Sequence, residues 1–132
     1  MDDATIVRLA DTAKAASARA YCPYSRFRVG AAVLTEDGRI SAGCNVENAS
    51  FGLTICAERN AVFRAVADGG GRIVAVVVYT PTPTPTAPCG ACRQVIHEFG
   101  PAAEVFGVCD GPEMTRESLA RLLPHAFGPD DL

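Results

Sequence analysis

The sequence predicts a layered α/β domain with a mixed sheet. Three observations lead there: apolar residues at helical spacing near the start, a hairpin signal between two apolar runs, and helix-like and strand-like patterns alternating through the rest. At 132 residues the chain fits a single domain, 1–132, large enough to enclose a core.

Ile6, Leu9, Ala10, Ala13, Ala16 and Ala20 recur three or four apart and define the first helix, with Asp3 as its expected N-cap and Pro23 as its stop. Arg28 to Leu34 and Arg39 to Cys44 read as strands around Glu36-Asp37-Gly38, whose Asp-Gly pair marks a hairpin. A second helix is expected from about Thr54 to Ala67, ending at Gly69-Gly70-Gly71. Ile73 to Tyr79 is continuously apolar, as in a strand covered on both faces. Thr80 to Pro88 reads TPTPTPTAP; its prolines lack the N–H a ladder needs, so it is an extended connector. A third helix begins near Cys89 and sets Cys92, Val95, Ile96 and Phe99 on one face before Gly100-Pro101. Glu104 to Cys109 is another strand, and Arg116 to Leu123 a short helix capped by Thr115.

Hydrophobic residues make up 48% and charged residues 20%, ordinary values for a globular protein. The formal net charge is −3 and the basic residues are scattered, which argues against a nucleic acid polymer as partner. No apolar run approaches a membrane span, and Met1-Asp2-Asp3 is acidic where a signal peptide is basic and then apolar. A cytoplasmic protein with mostly reduced cysteines is expected.

The strongest chemical signal is Cys56-Ala57-Glu58 together with Pro88-Cys89-Gly90-Ala91-Cys92. Cys89 and Cys92 are three apart at a helix start, so both thiols can grip one ion. Helix N-termini lower thiol pKa and favour the thiolates a metal needs. Cys56 and Glu58 are two apart, and in mid-helix their side chains diverge by roughly 200°. They serve one centre only if it lies off the helix end, with Cys56 in the first turn. Three protein ligands leave the fourth position of a zinc ion open for water, as in catalytic sites. A lone C-x-x-C also fits a redox pair or half a zinc ribbon. Adding Cys-Ala-Glu gives the zinc-deaminase pattern H-x-E…P-C-x-x-C, with Cys in the His place and Glu58 as proton carrier. His97 and His125 are isolated, and Cys22, Cys44 and Cys109 match no ligand spacing.

Further pieces are Tyr24-Ser25-Arg26-Phe27-Arg28-Val29-Gly30-Ala31-Ala32, Gly43-Cys44-Asn45-Val46-Glu47-Asn48-Ala49-Ser50, Cys56-Ala57-Glu58-Arg59, Pro88 to Gln94, and Leu122 to Gly128. With them the sequence resembles the cytidine deaminase family, in its small, three-cysteine, homotetrameric form, nearly end to end. The resemblance implies a three-layer α-β-α fold with a mixed, mostly five-stranded sheet. It implies hydrolytic deamination of cytidine and 2′-deoxycytidine, with one zinc per subunit and no organic cofactor. Phe27 would pack against the pyrimidine, Asn45 and Glu47 would bind the ribose hydroxyls, and Ala57 would offer its N–H to the base. Arg59 would donate to the ligand sulfurs, and Phe127 would enter a neighbouring subunit's site. A carboxylate at Glu47 repels a 5′-phosphate, which favours nucleosides over nucleotides. One departure is Phe51, where family members commonly carry Tyr. Rival readings are another small-molecule deaminase resembling blasticidin-S deaminase, a zinc-stabilised interaction module with a closed four-ligand site, and a redox protein using Cys89 and Cys92.

Overall fold

A computed structural model describes residues 1–132. Helix α1 spans Asp3–Ser17, and its cap is Asp2 rather than Asp3: Thr5 N–H donates to Asp2 Oδ1 at 2.9 Å. Asp3 instead adds negative charge to the first turn, where the helix dipole favours it. The helix also stops short of Ala20 and Pro23. Arg28 Nη1 takes the carbonyls of Ala18 and Ala20 at 3.2 and 2.9 Å, and Tyr21 is drawn into a bridge with Val46.

Strands β1 (Gly30–Thr35) and β2 (Ile40–Cys44) form the expected hairpin, with Gly38 at φ 88° in the left-handed region its turn requires. β1 begins after Arg28 and Val29, because the Val29 N–H goes to the Asn45 side chain at 2.9 Å instead of a ladder partner. Helix α2 spans Ala57–Ala67, starting later than Thr54. Ile55 pairs with Val46 in an antiparallel bridge, and this extended segment hands over to the helix at Cys56, its N-cap. Strand β3 (Ile73–Tyr79) matches its expected limits. Helix α3 (Gly90–Phe99) has Cys89 as N-cap, and strand β4 spans Glu104–Val108.

The expected helix over Arg116–Leu123 is half strand. Thr115–Ser118 form β5, antiparallel to β4, and only Leu119–Leu122 are helical, as α4. Thr115 does not cap a helix; its Oγ1 accepts from the Gly107 N–H at 3.1 Å. Arg116 pairs with Glu104 across the strands at 2.7 Å, with its guanidinium over the Phe106 ring. Ser118 is the cap, accepting from Arg121 N–H at 3.2 Å. Cross-strand pairing outweighs the local helical pattern here.

The five strands run in the order β2-β1-β3-β4-β5, antiparallel throughout except for β3–β4, whose parallel pairing is bridged by α3. On one face α1 packs Ile6, Leu9 and Ala13 against Ala32, Val77 and Phe106. On the other, Ala57, Ala61, Val62 and Ala65 of α2, with Ile96 of α3 and Leu119 of α4, cover Ala31, Val33, Val76 and Val105. This is the expected three-layer arrangement, and burying each such large side chain contributes roughly 1.5–3 kcal/mol. Gly43 lets α2 lie directly on β2, since a Cβ there would meet Ala57 O at 2.6 Å and Ala61 N at 2.4 Å. No helix is long and apolar enough to cross a membrane.

Candidate functional site

Two helix starts meet at one end of the sheet. Cys56 caps α2 with φ −68° and ψ 157°, so its thiol leaves the line of the helix while Glu58 sits in the first turn. This is the off-end placement that a shared centre requires of a Cys-x-Glu pair. Cys89 caps α3, and Cys92 lies buried in its first turn. The three sulfurs all lie within 4.8 Å of one another, with Cys56–Cys89 at 4.0 Å and Cys89–Cys92 at 3.5 Å. Thiolates bound tetrahedrally to zinc at about 2.3 Å stand roughly 3.8 Å apart, so the cluster fits one zinc ion. Neither His97 nor His125 belongs to it.

Without an ion the thiols are held unequally. The neighbouring Cys92 thiol, reinforced by the Arg59 guanidinium, brings the Cys56 pKa down to about 5 against the opposing effect of burial. Cys92, beside that charge and itself buried, is pushed up. Arg59 Nη2 lies 3.5 Å from Cys56 Sγ, while its Nε is buried without a partner. Glu58 is only 5% exposed. Burial pushes its carboxyl up to about 7, with the Cys56 charge adding to the rise and its own backbone N–H opposing it.

Beside the thiols opens a cleft of about 310 Å³ that brings together Phe27, Asn45, Glu47, Cys56, Ala57, Glu58 and Cys89. Ala57 is the first residue of α2, where a backbone N–H has no acceptor within the helix. Asn45 is buried; its Oδ1 accepts from Val29 N–H at 2.9 Å and its Nδ2 donates to Phe27 O at 2.7 Å. Glu47 Oε1 accepts from the N–H groups of Tyr24 and Ser25 at 3.0 and 3.1 Å, and Oε2 accepts from the Ser25 hydroxyl. The Ser25 bond, helped by those two N–H groups and opposed by desolvation, holds the Glu47 pKa below the ordinary carboxylate value.

Phe127 is not in this cleft. It is 59% exposed on the C-terminal tail, and its carbonyl accepts from Gln94 Nε2 at 2.8 Å. Phe51 sits in a single 3₁₀ turn, Phe51–Leu53, edge-on to Tyr24 with ring centroids 5.6 Å apart. The cleft also has walls that sequence reasoning missed: Ser25, Thr80, Thr86 and Ala87. The Pro-Thr connector is therefore one side of the site. Its alternation of hydroxyls with prolines was the available signal, since a rigid extended segment beside Cys89 must border whatever Cys89 holds.

Residues 4–108 match the family model described as the cytidine and deoxycytidylate deaminase zinc-binding region. A cytidine deaminase of Sporosarcina psychrophila is 45% identical over 128 residues, covering 96% of this chain and 94% of that protein. One from Mycobacterium tuberculosis is 47% identical over 132 residues, covering 100% and 96%. The crystal structure of cytidine deaminase from Burkholderia pseudomallei superposes with a TM-score of 0.89 at 48% identity, covering 96% of this chain and 100% of that one. With fold, thiol cluster and sequence in agreement from end to end, the chain belongs to the cytidine deaminase family.

Proposed function

We propose that the protein catalyses hydrolytic deamination of cytidine and 2′-deoxycytidine to uridine and 2′-deoxyuridine, releasing ammonia, as a step of pyrimidine salvage. The observation that carries this reading is a buried carboxyl, Glu58, placed between a three-thiol cluster and a cleft bearing an amide, a carboxylate and an aromatic ring. Cys56, Cys89 and Cys92 would hold one zinc, which when bound supplies Lewis-acid activation of water at neutral pH. Ionised Glu58 removes one proton from that water and delivers it to N3 of the ring. It then transfers the second water proton to the departing amino group. The product ring keeps the oxygen at C4, and ammonia leaves, so atoms and charge balance. A carboxyl poised near neutrality suits both directions of transfer.

Asn45 donates and Glu47 accepts at the ribose diol, Phe27 packs on the pyrimidine, and the Ala57 N–H meets the base. Arg59 withdraws charge from the thiolates, three of which outweigh a divalent zinc by one unit. The exposed ring of Phe127 closes a neighbour's cleft in a homotetramer, which excludes water from the reacting base. A cytoplasmic enzyme keeps these thiols reduced and ready for metal. The direct test is loss of the cytidine amino group, followed spectrophotometrically beside elemental analysis. Stoichiometric zinc without any turnover of cytidine or deoxycytidine would defeat the proposal.

A further inference from the structure

The loop between α1 and β1 contains no regular structure over residues 26–29, and Arg26 takes φ 59°, a left-handed conformation that a non-glycine residue holds only under constraint. The constraint lies in the hydrogen bonds around it. Phe27 is gripped on both sides of its backbone: its N–H donates to Ser25 Oγ at 3.1 Å and its carbonyl accepts from Asn45 Nδ2 at 2.7 Å. The same Ser25 hydroxyl donates to Glu47 Oε2.

Counting protons and lone pairs fixes this arrangement. A serine hydroxyl has one proton and two lone pairs. Its proton goes to Glu47 and one lone pair takes the Phe27 N–H, so neither can be exchanged without losing a bond. Each carboxylate oxygen accepts about two hydrogen bonds. Glu47 Oε1 is filled by the N–H groups of Tyr24 and Ser25. Oε2 holds the Ser25 hydroxyl and keeps one acceptor position open. The only free acceptor position on this carboxylate therefore lies on the oxygen that Ser25 orients.

We infer that Ser25 is a positioning residue for nucleoside recognition, its hydroxyl joining the carboxylate at the ribose end of the cleft to the backbone that carries the aromatic at the base end. Sugar hydroxyls and pyrimidine ring are then recognised by one connected unit, and recognition of the sugar hydroxyls depends on a residue that meets none of them. The inference rests on the proposed contact between Glu47 and the ribose.

The experiment compares cytidine with 2′,3′-dideoxycytidine, which lacks the diol, as substrates of the zinc-loaded wild type, S25A, S25T and E47A. S25A is expected to raise KM for cytidine roughly tenfold, the lower end for loss of a hydrogen bond to a charged group. Its KM for the dideoxy analogue rises by less, since only the support of Phe27 is lost there, and its zinc content stays near wild type, so discrimination between the two substrates narrows. S25T restores it, because threonine keeps the hydroxyl. Should S25A not fold, S25C carries the same expectation, since a thiol donates only weakly. An E47A variant that loses discrimination beside an S25A variant that retains it would overturn the role of Ser25. Wild-type discrimination in E47A would overturn the ribose reading, and this inference with it.

Discussion

The side-chain amide of Gln94 donates to the backbone carbonyl of Phe127 at 2.8 Å, so the helix that carries two of the thiols also holds the exposed tail aromatic in place. Asp131 Oδ2 accepts from the next N–H, of Gly128, at 2.8 Å, and His97 packs against Gly128 where a Cβ would stand 2.7 Å from Nε2. The tail is thus tied to α3 through Gln94 and His97 and leaves Phe127 exposed, which is the arrangement the proposed shared site needs. Phe127→Ala is therefore expected to raise KM for cytidine roughly tenfold, about 1.4 kcal/mol, without loss of zinc. Gln94→Leu acts in the same direction with a smaller effect. Chains carrying Glu58→Gln, co-assembled with Phe127→Ala chains, recover sites having both residues and so regain activity. Light scattering that finds a fully active monomer would exclude the shared site.

Zinc is expected at one ion per chain by elemental analysis. Cys92→Ala or Cys89→Ala abolishes tight retention, because two thiols leave an ion without its third protein ligand. Full zinc content in either variant would show that the metal sits elsewhere.

Glu58→Gln keeps shape and volume but cannot move protons. Turnover is expected to fall by at least roughly 10²-fold while zinc stays bound. A variant retaining most of its kcat would reduce Glu58 to a helix residue.

Arg59→Gln removes a positive charge 3.5 Å from the Cys56 sulfur. Lower kcat with a modest loss of zinc is expected, since uncompensated thiolate charge makes metal-associated water less acidic. Wild-type kinetics and metal content together would make Arg59 a bystander.

Glu47 gives a pH dependence whose sign follows from its environment. Its pKa is lowered, chiefly by the Ser25 hydroxyl, so it stays ionised below the ordinary glutamate value of about 4.3. The stability it lends the folded state is complete above that value and is lost as pH falls through the lowered folded pKa. Affinity for a non-hydrolysable cytidine analogue follows the same course. In Ser25→Ala the decline begins at higher pH, and titration calorimetry across the acid range measures the displacement. Superimposable profiles for the two proteins would show that Ser25 does not set the ionisation of Glu47.

Much of this was legible beforehand, and the reasons differ by element. Ile73–Tyr79 is legible to the residue because a central strand buried on both faces needs an uninterrupted apolar run. Cys56 and Glu58 could share a centre only off a helix end, and the helix does begin at Ala57. The strand over Thr115–Ser118 was not legible, because its stabilising partners, Gly107 and Glu104, are remote in sequence. The role of Thr80 and Thr86 as cleft walls was hidden for a related reason. A Pro-Thr connector reads as a spacer until the strand before it and the helix after it are placed. Ser25 stood inside a recognised motif, but its two simultaneous hydrogen bonds depend on a left-handed turn at Arg26 that sequence does not announce.

The two capping cysteines, Cys56 and Cys89, stand 33 positions apart, separated by the whole of α2, β3 and the Pro-Thr segment. A metal ion joining them closes that loop, and in folding terms it acts as a latch across the centre of the sheet. In the folded chain α2 and β3 both pack on β1, so the complete site comes with the assembled core. Because a complete three-thiol site is absent from the unfolded chain, the binding free energy is also folding free energy. Metal withdrawal therefore loosens the crossover from β3 to β4 as well as silencing chemistry, and retention of the ion over time becomes a measure of how rarely that crossover opens.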